Sequence, residues 1–263
     1  MGQNFLVDHK VLRKIVESAG VTQADTVLEI GAGLGSLTRL LAPSAGHVKA
    51  VEIDHRLIPV LREVVAGLNN VEVIQGDILE LDPGQLMSGP GYIVVANIPY
   101  FITSAIVRHL LESRVRPERL VLTMQQEVAE RICAQPGDLS LLALSVQVYG
   151  QPKITANIPA ASFYPSPSVD SATLRVDLYR EPFFNDRQRG KFFTLIRMGF
   201  AQKRKMLRNT LAAGLHISGD EAARYLSAAG IDPQRRAQTL SLVEWKTLVN
   251  ELLDLLPGKT EGD

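Results

Sequence analysis

Five short apolar runs recur through the first half of the chain: TVLEI (26–30), HVKAVEI (47–53), VEVIQ (71–75), YIVVAN (92–97) and LVLTM (120–124). Helical periodicities separate them, over 36–42, 55–66, 103–113 and 126–134. Strands that are apolar on both faces must be covered on both faces, and the intervening helices supply that cover. The alternation therefore predicts an α/β fold built on a mostly parallel sheet. A later run, SATLRVDLY (171–179), alternates apolar and polar side chains and reads as an antiparallel strand at or near an edge. Ahead of the first strand, Asp8 is placed to cap a helix ending at about Ala19, with Gly20 as its stop.

The pattern changes after Tyr179. Glu181-Pro182 breaks it, and only helical periodicities follow, over 186–199, 203–213, 220–229 and 241–256. Gly214 and Gly230 punctuate them, with Ser218 and Ser241 as N-caps. A boundary near 180 divides the chain into a sheet domain (1–180) and a small helical domain (181–263). Overall charge is balanced, 28 basic against 28 acidic side chains, but no acid occurs from Arg187 to Gly219. That stretch holds Arg197, Lys203, Arg204, Lys205 and Arg208, a block suited to a polyanion such as nucleic acid. The single cysteine, Cys133, excludes an intrachain disulfide and a cysteine-rich zinc site, and no metal is expected. The opening MGQNFLVDHK lacks the apolar core of a signal peptide, and no window has the apolar length of a membrane span, so a cytoplasmic location is expected.

The first strand runs into EIGAGLGSLT (29–38), which opens a helix. Gly31, Gly33 and Gly35 let the backbone turn sharply and approach a ligand. Their G-x-G-x-G spacing is not the G-x-G-x-x-G of dinucleotide enzymes. Glu52 ends the second strand, where a carboxylate can accept from both hydroxyls of a ribose. Asp77 follows the third strand, where it can take the exocyclic amine of an adenine, and Asn97 follows the fourth. All lie at carboxyl ends of parallel strands, the edge where open α/β sheets bind ligands. An adenosine cofactor without a pyrophosphate fits this set, and S-adenosylmethionine suits it better than a dinucleotide.

Asn97-Ile98-Pro99-Tyr100 adds a second function. The Asn97 side-chain oxygen and the Pro99 carbonyl can together accept both hydrogens of a purine amine and aim the nitrogen lone pair at a methyl carbon. Tyr100 offers a face on which the base can stack, and Phe163 is a candidate for the opposite face.

The chain resembles the small-subunit ribosomal RNA adenine dimethyltransferases of the KsgA type. QNFL (3–6), EIGAGLGSLT, VEID (51–54), GDIL (76–79), NIPY, QQEVAERI (125–132), FYPSPSVDSA (163–172), FAQKRKMLRNTL (200–211) and GIDPQRRAQTLSLVEW (230–245) occur in the family's order. The resemblance implies a Rossmann-like methyltransferase sheet with a C-terminal helical RNA-docking domain. It implies dimethylation at N6 of two adjacent adenosines in the 3′-terminal hairpin loop of 16S rRNA, in the assembling 30S subunit. Nothing in the sequence suggests an obligate oligomer, and a monomer is expected. It also implies cofactor contacts at Asn4, Leu6, Gly31, Glu52, Asp77 and Asn97. Against the family pattern, the chain starts at Met1 without a basic arm before QNFL. Ala105 stands where proline is frequent and Ser168 where lysine is frequent. Competing readings are a large-subunit adenine methyltransferase of the erythromycin-resistance type, a non-catalytic RNA-binding assembly factor, and a DNA adenine methyltransferase. Intact Glu52, Asp77 and NIPY speak against lost catalysis.

Overall fold

A computed structural model describes residues 4–87, 89–97 and 103–256. The chain divides into two compact units, 1–130 with 150–180, and 131–149 with 181–263.

The first unit is built on a seven-stranded sheet. Its strands are β2 (Thr26–Ile30), β3 (His47–Glu52), β4 (Val71–Gln75), β5 (Ile93–Asn97), β6 (Arg119–Gln125), β7 (Gly150–Ile158) and β9 (Ser171–Leu178), in the order β4-β3-β2-β5-β6-β9-β7. The first five are mutually parallel, and β9 and β7 join antiparallel. The apolar runs thus form the parallel part. The alternating 171–179 segment is the antiparallel next-to-edge strand, as its pattern predicts. The edge strand β7 has no counterpart in the sequence reading. GQPKITANI buries only its ends fully, and Pro152 reads as a breaker; an edge strand tolerates both.

Helix α1 (His9–Ala19) packs Leu12, Ile15 and Ala19 into the core below the sheet. The Asp8 side chain accepts from the Lys10 and Val11 amides, and Gly20 ends the helix with φ 58°. The short helices α2 (Thr38–Leu41), α3 (Ile58–Val65) and α4 (Pro83–Leu86) follow β2, β3 and β4. Helix α5 (Thr103–Glu112) follows β5, and α6 (Gln126–Ile132) follows β6. A separate two-stranded antiparallel sheet pairs β1 (Phe5–Leu6) with β8 (Phe163–Tyr164).

The second unit contains α7 (Leu141–Gln147), α8 (Asp186–Phe200), α9 (Leu207–Leu215), α10 (Gly219–Ala228) and α11 (Leu242–Glu251). Residues 131–149, assigned from sequence to the first domain, belong here. Their backbone is tied into this unit: the Gly137 amide donates to the Gln238 carbonyl at 2.9 Å, and the Gln147 side chain donates to the carbonyls of Ile132 and Ala134. Ser218 and Ser241 are the N-caps of α10 and α11. Gly214 does not terminate a helix. It lies inside α9, where a Cβ would stand 2.6 Å from Met198 Cγ, and His216 at φ 56° makes the stop instead. Fully buried Trp245 stacks on Phe200 at 6.2 Å between ring centroids and centres this small core.

Candidate active site

The sheet order reverses between β2 and β5, with β3 and β4 on one side and β6 on the other. A crevice opens beyond the carboxyl ends of neighbouring parallel strands at such a reversal. Here the glycine loop leaves β2 and Asn97 ends β5, and both line one cleft together with Phe5, Leu6 and Leu12.

The loop folds back over the end of β3. The amides of Gly31 and Ala32 both donate to the Val51 carbonyl, at 2.9 and 3.2 Å. Gly31, Gly33 and Gly35 all have positive φ, 75°, 58° and 79°, which L side chains adopt at a cost. At Gly35 space also matters, since a Cβ would stand 3.0 Å from Leu61 Cδ1 and Val64 Cγ1.

Glu52 ends β3 and is 4% exposed. One carboxylate oxygen accepts from the Gly33 amide at 2.8 Å and the other from the Asp54 amide at 2.9 Å. Those bonds fix the plane of the carboxylate against the glycine loop. An ionised carboxylate has about four acceptor positions, so two remain for ligand hydroxyls. This donor set and the open glycine cradle fit an adenosyl ligand.

Asp77 sits half-buried past β4, where its Oδ1 accepts from the Leu79 amide at 2.9 Å and holds the turn that follows. Asn4 directly precedes β1 and is half-buried. Leu6, Gly31, Gly33 and Asn97 line the cleft itself. Pro99 and Tyr100 lie outside the described residues. Phe163 does not present a face to a ligand: it is 4% exposed and belongs to the core cluster with Leu6, Leu12 and Ile158. Its β8 register opposite Leu6 turns it inward, so the side exposed to solvent belongs to its neighbour Tyr164.

One residue of the cleft was missed in the sequence. Glu29, inside EIGAGLG, is fully enclosed by β2 and its neighbours, and its Oε2 has no hydrogen-bond partner among the described residues. Burial pushes its pKa up to about 8; adjacent Thr38 pulls it down and the Glu52 charge pushes it further up. Below that pH the folded chain therefore holds Glu29 as a neutral acid. An acid inside an otherwise apolar strand was the available signal.

The basic block resolves into two classes in the second unit. Lys191 is buried and donates to the carbonyls of Leu253 and Leu256, while Arg189 pairs with Asp186. Arg197 ends α8 exposed, and Lys203, Arg204 and Lys205 are exposed in the connection 201–206. Arg208 is half-buried in α9. None of these five makes an ion pair with a described residue. The helix expected from 203 begins only at Leu207. Consecutive cations repel, and no side chain in 201–206 is buried to hold a helix there. Among the described residues no group of His, Cys, Asp and Glu could hold a metal ion, and no helix is long and apolar enough to cross a membrane.

Residues 1–254 match the family model described as ribosomal RNA adenine dimethylase. The ribosomal RNA small subunit methyltransferase A of Dehalococcoides mccartyi (strain CBDB1) is 44% identical over 252 residues, covering 95% of this chain and 87% of that protein. A dimethyladenosine transferase from Plasmodium falciparum superposes with a TM-score of 0.83 at 27% identity, over 94% of this chain and 97% of that one. The 23S rRNA methyltransferase ErmE does so with a TM-score of 0.79 at 30% identity, over 95% and 99%.

Proposed function

The chain belongs to the ribosomal RNA adenine dimethylase family, and on that premise we propose that it dimethylates N6 of two adjacent adenosines in the 3′-terminal hairpin loop of small-subunit rRNA. The observation that carries the reading is the shared cleft. Asn97, the acceptor for a target amine, opens into the same space as the glycine loop that Glu52 clamps.

S-adenosylmethionine, when bound, supplies a methyl carbon made electrophilic by its sulfonium. Glu52 would hold the ribose hydroxyls, Gly31 and Gly33 would admit the ligand close to the backbone, and Asp77 would take the adenine amine; Asn4, just before β1, and Leu6 within it would close the site. The Asn97 side-chain oxygen accepts one hydrogen of the target amine, and Pro99 contributes the second acceptor. With both hydrogens held in the first round, and the one that remains held in the second, the nitrogen lone pair is aimed at the place where that methyl carbon would lie. The cofactor would give up the methyl to nitrogen with the C–S bonding pair left on its sulfur, and the surplus amine proton would leave to water. The amine is neutral before transfer, so the chain needs alignment and dipolar stabilisation rather than a strong base. Tyr100 stacks on the base.

The exposed cations Arg197, Lys203, Arg204 and Lys205 bind RNA phosphates, which position the substrate while the cleft reads the extruded base. The chain acts as a monomer on the assembling 30S subunit in the cytoplasm.

The test is transfer of labelled methyl from S-adenosylmethionine to undermethylated small subunits, large subunits and duplex DNA. Label in small-subunit RNA alone is expected. Label in the large-subunit RNA moves the chain to the erythromycin-resistance type. No label anywhere, with binding retained, leaves a non-catalytic assembly factor.

A further inference from the structure

The small sheet at the cleft's edge carries a side chain that the reaction above does not use. In the β1–β8 ladder Phe5 stands opposite Tyr164, and Leu6 opposite Phe163. Directly paired residues place their side chains on the same face, with Cβ atoms about 5 Å apart. Leu6 and Phe163 point into the core, so Phe5 and Tyr164 share the other face. Phe5 walls the cleft, and its ring lies 3.5 Å from where a Cβ on Gly33 would stand. Tyr164 beside it is 73% exposed, the most exposed large apolar side chain among the described residues.

This ring is held in water one side chain away from the glycine loop. Its backbone is not free to withdraw it. Phe163 is anchored in the core, and the Val7 amide donates to the Ser162 carbonyl at 2.9 Å. An aromatic ring held out in solvent at the rim of a cleft matches single-stranded nucleic acid, whose bases stack on such rings.

We propose that Tyr164 is an RNA-positioning residue whose ring stacks on the base next to the one being methylated. This rests on the reading of the cleft as an adenosine-N6 methylation site. When one of two adjacent adenosines is extruded into the cleft, its neighbour loses a stacking partner. The rim aromatic replaces that partner and holds the loop open at the right register. Stacking needs the ring and not the hydroxyl.

Steady-state methyl transfer to undermethylated small subunits tests this with the wild type, Tyr164→Phe, Tyr164→Leu and Tyr164→Ala. The KM for the subunit rises roughly 10-fold in the Leu and Ala variants, as loss of one base–aromatic stack requires. The Phe variant keeps the wild-type KM, and all four keep the same kcat and the same Kd for S-adenosylmethionine. Because the ring stands in solvent, its removal leaves the fold intact, and the unchanged cofactor Kd verifies that. An unchanged subunit KM in Tyr164→Ala overturns the proposal. So does a loss confined to kcat, which would put the ring on the reacting base itself. If the wild type transfers no methyl to small subunits, the functional reading fails instead. The Kd values of the four proteins for the hairpin-loop RNA then decide the role of Tyr164 by the same pattern.

Discussion

Replacing Glu29 by glutamine should change how stability depends on pH. The carboxyl is buried in β2, and its pKa rises from the ordinary 4.5 to about 8. Between those two pH values the folded chain keeps a proton that the unfolded chain has released. Fewer protons on the unfolded state means that stability falls as pH rises through this window. Each pH unit removes about 1.4 kcal/mol, so about 3 kcal/mol is lost between pH 5.5 and 7.5. Glutamine has nearly the same shape and cannot titrate, so the variant lacks this slope. Every other ionisable group is common to both proteins and cancels in the comparison. Urea unfolding of both, followed by circular dichroism without cofactor at several pH values across the window, gives the difference directly. The variant should gain on the wild type by about 1.4 kcal/mol per pH unit, whatever its fixed offset from the altered contact with Thr38. Parallel profiles would refute the reasoning, because they would mean that Glu29 is already ionised in the folded chain.

Three other outcomes follow from the site. Asn97→Ala nearly abolishes methyl transfer while the Kd for RNA holds, since the cations that bind phosphates lie on other elements; near-normal turnover would remove the amine-acceptor role. Gly35→Ala loses about 1–3 kcal/mol of stability, because φ 79° is strained for alanine and its Cβ meets Leu61 and Val64; a thermal melt superposable on the wild type would contradict that. Affinity for RNA falls steeply with added salt. Replacing Lys203, Arg204 and Lys205 together by alanine lowers the slope of log affinity against log salt by roughly 2, and an unaltered slope would remove this connection from the RNA surface.

Much of this architecture was legible in the sequence because it follows from local pattern. The five apolar runs became the parallel strands, with VEVIQ at the edge, where its Glu72 and Gln75 are exposed, and the Asp8 and Gly20 signals bound α1 as expected. Asn97 and the glycine loop could be placed in one cleft because both follow parallel strands, and the strand order brings those two strands side by side. What escaped depends on tertiary context. β7 is polar and contains Pro152, features that only an edge position tolerates. Residues 131–149 look like a continuation of the sheet domain, and only tertiary contacts, the bonds to Gln238 and the Tyr149 ring beside Phe193 of α8, assign them elsewhere. Phe163 and Tyr164 are adjacent aromatics whose roles differ by strand register alone: one residue's shift turns a ring from core to solvent. Lys191 and Lys203 belong to one basic run, yet one is buried against the carbonyls that follow α11 and the other is free in solvent.

The central claim is tested most directly by the product. Small subunits from a strain lacking this modification are incubated with the protein and S-adenosylmethionine, and the 3′-terminal hairpin RNA is then excised and its nucleosides identified in sequence. The account predicts two methyl groups on N6 of each of two adjacent loop adenosines, and at most a trace there with Asn97→Ala over the same reaction time. Methylation elsewhere in the RNA, or an unmodified loop after exhaustive reaction with the wild type, would contradict it.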